Sequence, residues 1–239
     1  MTGKDARVWW RGALPLTLLL VSPVLVQAAT DDLPRLESAE CPTQALRELG
    51  ATCHTFHAPE NWDAPSGNTI SLPVAVIEPE GGAPDEEALP VFFFPGGPGY
   101  SSLGEREYME QLLEDIGQRT LVTMDNRGFI HAEPALECPE YAAVSPYHNI
   151  IHTPAITASL DPMERLDAIS GVVSDCYRKL VDEGIDVSQY NARAVSRDVD
   201  EIRQLLGYER IDGFGSSTGS GTLVSFIQYH PDSIRAAIL

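Results

Sequence analysis

Gly215-Ser216-Ser217-Thr218-Gly219 directly follows the apolar run Arg210–Phe214 (RIDGF) and leads into the helical stretch Thr222–Tyr229 (TLVSFIQY). A strand, a tight turn and a helix in that order make a G-x-S-x-G string chemically specific. The turn must be sharp enough to expose a serine hydroxyl, and small flanking residues let the backbone close without a side-chain clash. The helix start also favours developing negative charge. Ser217 has glycine at both minus two and plus two, whereas Ser216 and Ser220 do not, so Ser217 is the candidate nucleophile.

Working upstream, short and almost purely apolar runs at Leu89–Phe94 and Thr120–Met124 flank a helical stretch at Arg106–Ile116, and another begins at Ile234. Strands without alternation suit a parallel sheet covered on both faces, and strands alternating with helices define the α/β class. Thr69–Glu78 (TISLPVAVIE) reads as an earlier strand, residues 79–88 as an acidic Gly/Pro loop, and residues 29–60 as mixed and loop-like. Residues 129–190 form a long excursion with a helix opening at Asp161, where Asp161-Pro162-Met163-Glu164 supplies a cap, a first-turn proline and an acid at N3. A further helix is expected over Ala192–Leu206, stopped by Gly207.

Pro95-Gly96-Gly97-Pro98-Gly99-Tyr100 follows the first apolar run. Its glycines permit close approach, so an amide of Gly96 or Gly97, together with that of Thr218, is expected to hold the oxygen of a tetrahedral intermediate.

Together, PGGPG, DNRG (Asp125–Gly128), RDVDEIRQLLGYERID, GSSTG and YHPDSIRAAIL make the chain resemble the prolyl aminopeptidase and tripeptidyl-aminopeptidase-like branch of exported α/β-hydrolases, over residues 41–239. The resemblance implies the α/β-hydrolase fold and a serine hydrolase that removes residues from peptide N-termini or cleaves related esters and amides. No cofactor is implied, and no metal site is expected because no cysteine pair has CxxC spacing and no histidine cluster accompanies them. Pro95, Asn126 and Phe129-Ile130-His131-Ala132 depart from the usual HGGPG, DQRG and following Gly-Ser, beside the active edge where substrate is chosen. Asp125 and Arg127 are expected to hold their loop together.

In this fold the triad runs serine, acid, histidine along the chain. His230 and Asp232 follow Ser217, but 13 residues of helix span roughly 20 Å, out of reach. The acid and histidine are therefore expected beyond Leu239, with Ile234–Leu239 as the sixth strand of an eight-stranded core. The alternatives are an esterase- or lipase-type hydrolase, or an inactive fragment or binding module of the same fold. His131 is expected on a surface loop, and His54, His57, His148 and His152 in structural or exposed places.

Lys4, Arg7 and Arg11 precede the apolar stretch Ala13–Val26, and Val26-Gln27-Ala28 offers a cleavage site, so residues 1–28 read as an export signal and 29–239 as the domain. That stretch is shorter than the ~20 residues of a membrane span. Four cysteines in an exported chain imply two disulfides, expected to pair in sequence order, and the Cys41–Cys53 loop would contribute about 3 kcal/mol. The formal net charge of −19 argues against a nucleic-acid partner.

Overall fold

In a computed structural model, residues 33–79, 88–97, 101–140 and 160–239 are described. The expected export signal, the tip of the acidic loop, Pro98–Tyr100, His148 and His152 lie outside them. Seven strands form one sheet: β1 (Arg35–Ser38), β2 (Thr52–Pro59), β3 (Thr69–Ile77), β4 (Val91–Phe94), β5 (Leu121–Met124), β6 (Ile211–Gly215) and β7 (Ile234–Ile238), in the order β1-β2-β3-β5-β4-β6-β7. The first four in that order pair antiparallel, and β5, β4, β6 and β7 run parallel. The described residues also form the α-helices α1 (Gln44–Glu48), α2 (Arg106–Ile116), α3 (Pro162–Asp182), α4 (Ala192–Leu205) and α5 (Thr218–Tyr229), with short 3-10 helices at Val187–Gln189 and Pro231–Ser233.

All four residues of β4 are buried, as are all four of β5. The reason is a separate core on each face. Phe92 and Phe94 join Val122, Met124 and the α4 and α5 residues Val199, Ile202, Leu223 and Phe226. Val91 and Phe93 point the other way, to Leu46 of α1 and Met109 and Leu112 of α2. The apolar runs thus became parallel strands with helices on both faces, as their composition demands.

Residues 29–60 depart from the loop-like expectation, because residues 35–59 contain β1, α1 and β2. His54, Thr55 and His57 break the apolar pattern of β2, while Cys53, Phe56 and Ala58 are buried. Ser71 and Glu37 satisfy the His57 ring from the neighbouring strands, which is how a polar residue tolerates the sheet. Among the described residues the run at Ile234 is accordingly the seventh strand, where the sixth was expected. The α5 helix starts at Thr218 rather than Thr222, because Gly219 and Gly221 weaken the local helix signal while the turn at Ser217 launches the helix.

The capping box at Asp161 and Glu164 is present. Gly207 ends α4 with φ +83°. The disulfides pair Cys41 with Cys53 and Cys138 with Cys176, in sequence order. Two disulfides are compatible with an exported protein, and among the described residues no helix is long and apolar enough to cross a membrane.

Arg127 holds the exit of β5, as expected. Its guanidinium is fully buried, donates two 2.7 Å bonds to Asp198 of α4 and reaches the carbonyls of Glu60 and Gln189. Trp62 adds an indole N–H to the same carboxylate. A buried pair is costly to break from one side because the surviving charge loses its partner. Arg127→Ala is expected to lower the unfolding free energy by about 3–5 kcal/mol, read from urea titration of the chain.

Candidate active site

The site is built where β4 and β6 lie side by side. Their register pairs Phe94 with Gly215, and the Ser216 amide donates to the Phe94 carbonyl at 3.1 Å. Two residues beyond that pair, the two loops bring Gly96 to Ser217. The chain turns to β5 on one side of β4 and to β6 on the other, so this crevice is a switch point of the parallel sheet, where ligands bind in open α/β folds.

Ser217 sits between strand and helix with φ +51° and ψ −118°, the one non-glycine at positive φ among the described residues. Such a conformation costs about 1–3 kcal/mol and persists only where surroundings impose it. Three glycines provide those surroundings. A Cβ on Gly219 would lie 2.0 Å from the Phe94 carbonyl oxygen, and one on Gly215 would lie 2.8 Å from Ser220 Cα. One on Gly96 would meet the Ser216 oxygen at 2.7 Å and Ser217 Cβ at 2.9 Å. Both glycines of G-x-S-x-G, and the first of the PGGPG string, are therefore required by contact.

Ser217 and Thr218 are exposed. The amides of Gly219 and Ser220 turn back to the carbonyls of Ser216 and Ser217. Thr218 contributes the first N–H of α5, a position without an intrahelical acceptor. Ser217 opens onto a cleft of about 310 Å³ lined also by Phe93, Gly96, Gly97, Ser102, Glu105 and Tyr108. Ser102, Glu105 and Tyr108 were not singled out from the sequence, because nothing local marks the loop after PGGPGY and the start of α2 as facing Ser217.

The histidines lie elsewhere. His230 ends α5 beside Asp200, 3.3 Å away, with its ring against Phe226. Burial holds its pKa below the usual histidine value, although Asp200 works in the opposite direction. His131 lies exposed on a surface turn, as expected, and its ring is tied down there. Its Nδ1 lies 2.9 Å from an oxygen of Asp125, a fully buried carboxylate that also accepts the His131 backbone N–H, and 3.1 Å from Ser101 Oγ. One ring nitrogen faces both groups, so this is not the relay in which acid and hydroxyl occupy opposite nitrogens. Among the described residues, no histidine or carboxylate side chain bonds Ser217.

A profile of the alpha/beta hydrolase fold matches residues 90–239. Among solved structures, the chain is similar to a putative epoxide hydrolase from Pseudomonas aeruginosa (17% identity, TM-score 0.39, covering 70% of this chain and 36% of that one). It is also similar to a Vigna radiata epoxide hydrolase mutant (16%, 0.41, 71% and 35%) and to proline iminopeptidase from Mycobacterium smegmatis (14%, 0.44, 77% and 42%). The chain spans little more than a third of the length of most of these structures. No curated protein matches it.

Two measurements test this geometry. Ser217→Gly removes the side chain that resists positive φ and is expected to raise the unfolding free energy by about 1 kcal/mol, whatever it does to chemistry. A histidine with a lowered folded pKa resists a proton that the unfolded chain accepts. Stability should therefore fall as pH drops from 7 toward 5.5, through the unfolded value near ~6.5. His230→Gln should flatten that part of the urea-midpoint profile.

Proposed function

The chain belongs to the α/β hydrolase family, and on that premise we propose that it is a serine hydrolase in which Ser217 is the nucleophile and the substrates are peptide N-termini. The observation that carries the proposal is the forced backbone of Ser217 at the head of α5, with the residue exposed on the cleft and Gly96 packed against its Cβ.

In the proposed reaction Ser217 Oγ attacks the carbonyl carbon next to the scissile bond and gives its proton to a base. The tetrahedral oxyanion takes N–H groups from Thr218 and from Gly96 or Gly97, and loss of one such donor costs about 3 kcal/mol in comparable sites. Collapse expels the amine, which takes the proton from the base, and leaves an acyl-serine that water hydrolyses. The base and its orienting acid are proposed to be a histidine and an acid C-terminal to Leu239, in the serine, acid, histidine order of the fold. Peptide N-termini, rather than esters, are favoured only by the resemblance of the PGGPG, DNRG and GSSTG strings to those of the prolyl aminopeptidase-like branch. The absence of a bonded base among the described residues supports a second reading, in which these residues bind ligand without turning it over.

A fluorophosphonate probe separates the readings. With Ser217→Ala as control, labelling at Ser217 is expected in protein that includes a downstream histidine, and at least about 100-fold slower labelling is expected in the 239-residue chain alone. If neither reacts, the binding reading replaces the hydrolase.

A further inference from the structure

The Ser217 cleft is lined by one carboxylate, Glu105, and, among the described residues, by no basic side chain. Glu105 occupies the N-cap of α2, yet its carboxylate bonds none of the helix amides. Its neighbour Arg106 is already committed to Glu48 and Glu110. Ser102 is 5% exposed, and its hydroxyl is one of the buried polar groups without a hydrogen-bond partner. Tyr108 follows Glu105 by one helical turn, lies on the same side of α2 and packs its ring against Phe93 at 5.6 Å.

Taken singly, an exposed glutamate or a tilted tyrosine is an ordinary surface feature. In one cleft with an exposed nucleophile, the three have complementary needs. A carboxylate lacks a counter-charge, a buried hydroxyl lacks a partner, and an aromatic ring lines the same cleft. A primary ammonium supplies a positive charge and three N–H donors on a small head. It would pair with Glu105, donate to Ser102 Oγ and lie against the π-face of Tyr108. A carboxylate or phosphate in the same place would meet Glu105 with like charge, and an acylated amine would bring neither charge nor enough donors.

We propose that Glu105, Ser102 and Tyr108 form a primary-ammonium subsite within the Ser217 cleft. The subsite itself requires only the cleft, while its role in selecting free N-termini rests on the hydrolase reading above. Glu105 is thereby a specificity-determining residue, placed to hold the amine of the residue whose carbonyl Ser217 would attack.

The test is binding of L-alaninamide against N-acetyl-L-alaninamide, measured by titration calorimetry on the full chain and on Glu105→Gln, Tyr108→Leu and Ser217→Ala. The wild type is expected to prefer the free amine by about tenfold or more, as one charge-assisted contact gives. Glu105→Gln should abolish the preference, and it should fold normally because this side chain is exposed and outside the hydrogen-bond network. Tyr108→Leu should reduce the preference, with Tyr108→Phe restoring it. Ser217→Ala should leave it intact. Equal binding of the two probes, or an undiminished preference in Glu105→Gln, overturns the subsite. The two proposals fail separately. A preference that persists without fluorophosphonate labelling keeps the subsite and sinks the hydrolase, while labelling without a preference does the reverse.

Discussion

The parallel pairing of β4 with β6 is the constraint on which the site depends. Phe94 opposite Gly215 sets the height at which both strands end, so the next two residues of each chain segment must share one crevice. Gly96 then packs against the Ser216 carbonyl and Ser217 Cβ, and Gly219 against the carbonyls of Phe94 and Pro95. Each contact leaves no room for a side chain, so the strained Ser217 conformation is held by packing from three directions. A shift of that register by one residue would turn Phe92 and Phe94 to the wrong core and separate the two loops together. Core packing and site geometry are thus the same constraint seen from two ends of the strands.

A second tie keeps the edge of the sheet in place. Arg127 leaves β5 just as Ser217 leaves β6, and its buried guanidinium gathers Asp198 of α4, the Glu60 carbonyl after β2 and the Gln189 carbonyl before α4. Trp62 shares Asp198, so four separate chain segments meet on one ion pair. Burying such a pair is weak evidence for net stability, since desolvation offsets attraction. Its physical effect is positional, because any displacement of one segment leaves a charge without its partner. The Asp125 carboxylate works similarly on a smaller scale, fastening the His131 ring and backbone to the same loop.

Much of this was legible in the residue string. The strands β3 to β7 and helices α2 and α4 stand out because buried parallel strands are apolar throughout and amphipathic helices repeat every few residues. β2 was hidden because two histidines and a threonine interrupt its apolar pattern, and the cross-strand partners that satisfy the His57 ring do not show in sequence spacing. Arg127 could be assigned a structural role from its motif, but its partner lies 71 residues away in α4. The cleft residues Ser102, Glu105 and Tyr108 carried no local signal at all, because their common feature is the cavity they face.

What the sequence determined by itself is what depends on neighbours along the chain: the α/β class, the serine at the strand-to-helix turn, the glycines around it, the helix cap at Asp161 and the order of the motifs. What tertiary structure alone decided is what depends on distance across the sheet. That includes the meeting of Gly96 with Ser217, the Arg127–Asp198 pair, the docking of His131 on Asp125 and the gathering of Ser102, Glu105 and Tyr108 around the Ser217 cleft. Local preferences are set by sterics and periodicity over a few residues, whereas a crevice is set by which strand lies beside which, and that order emerges only when both faces of the sheet are buried at once.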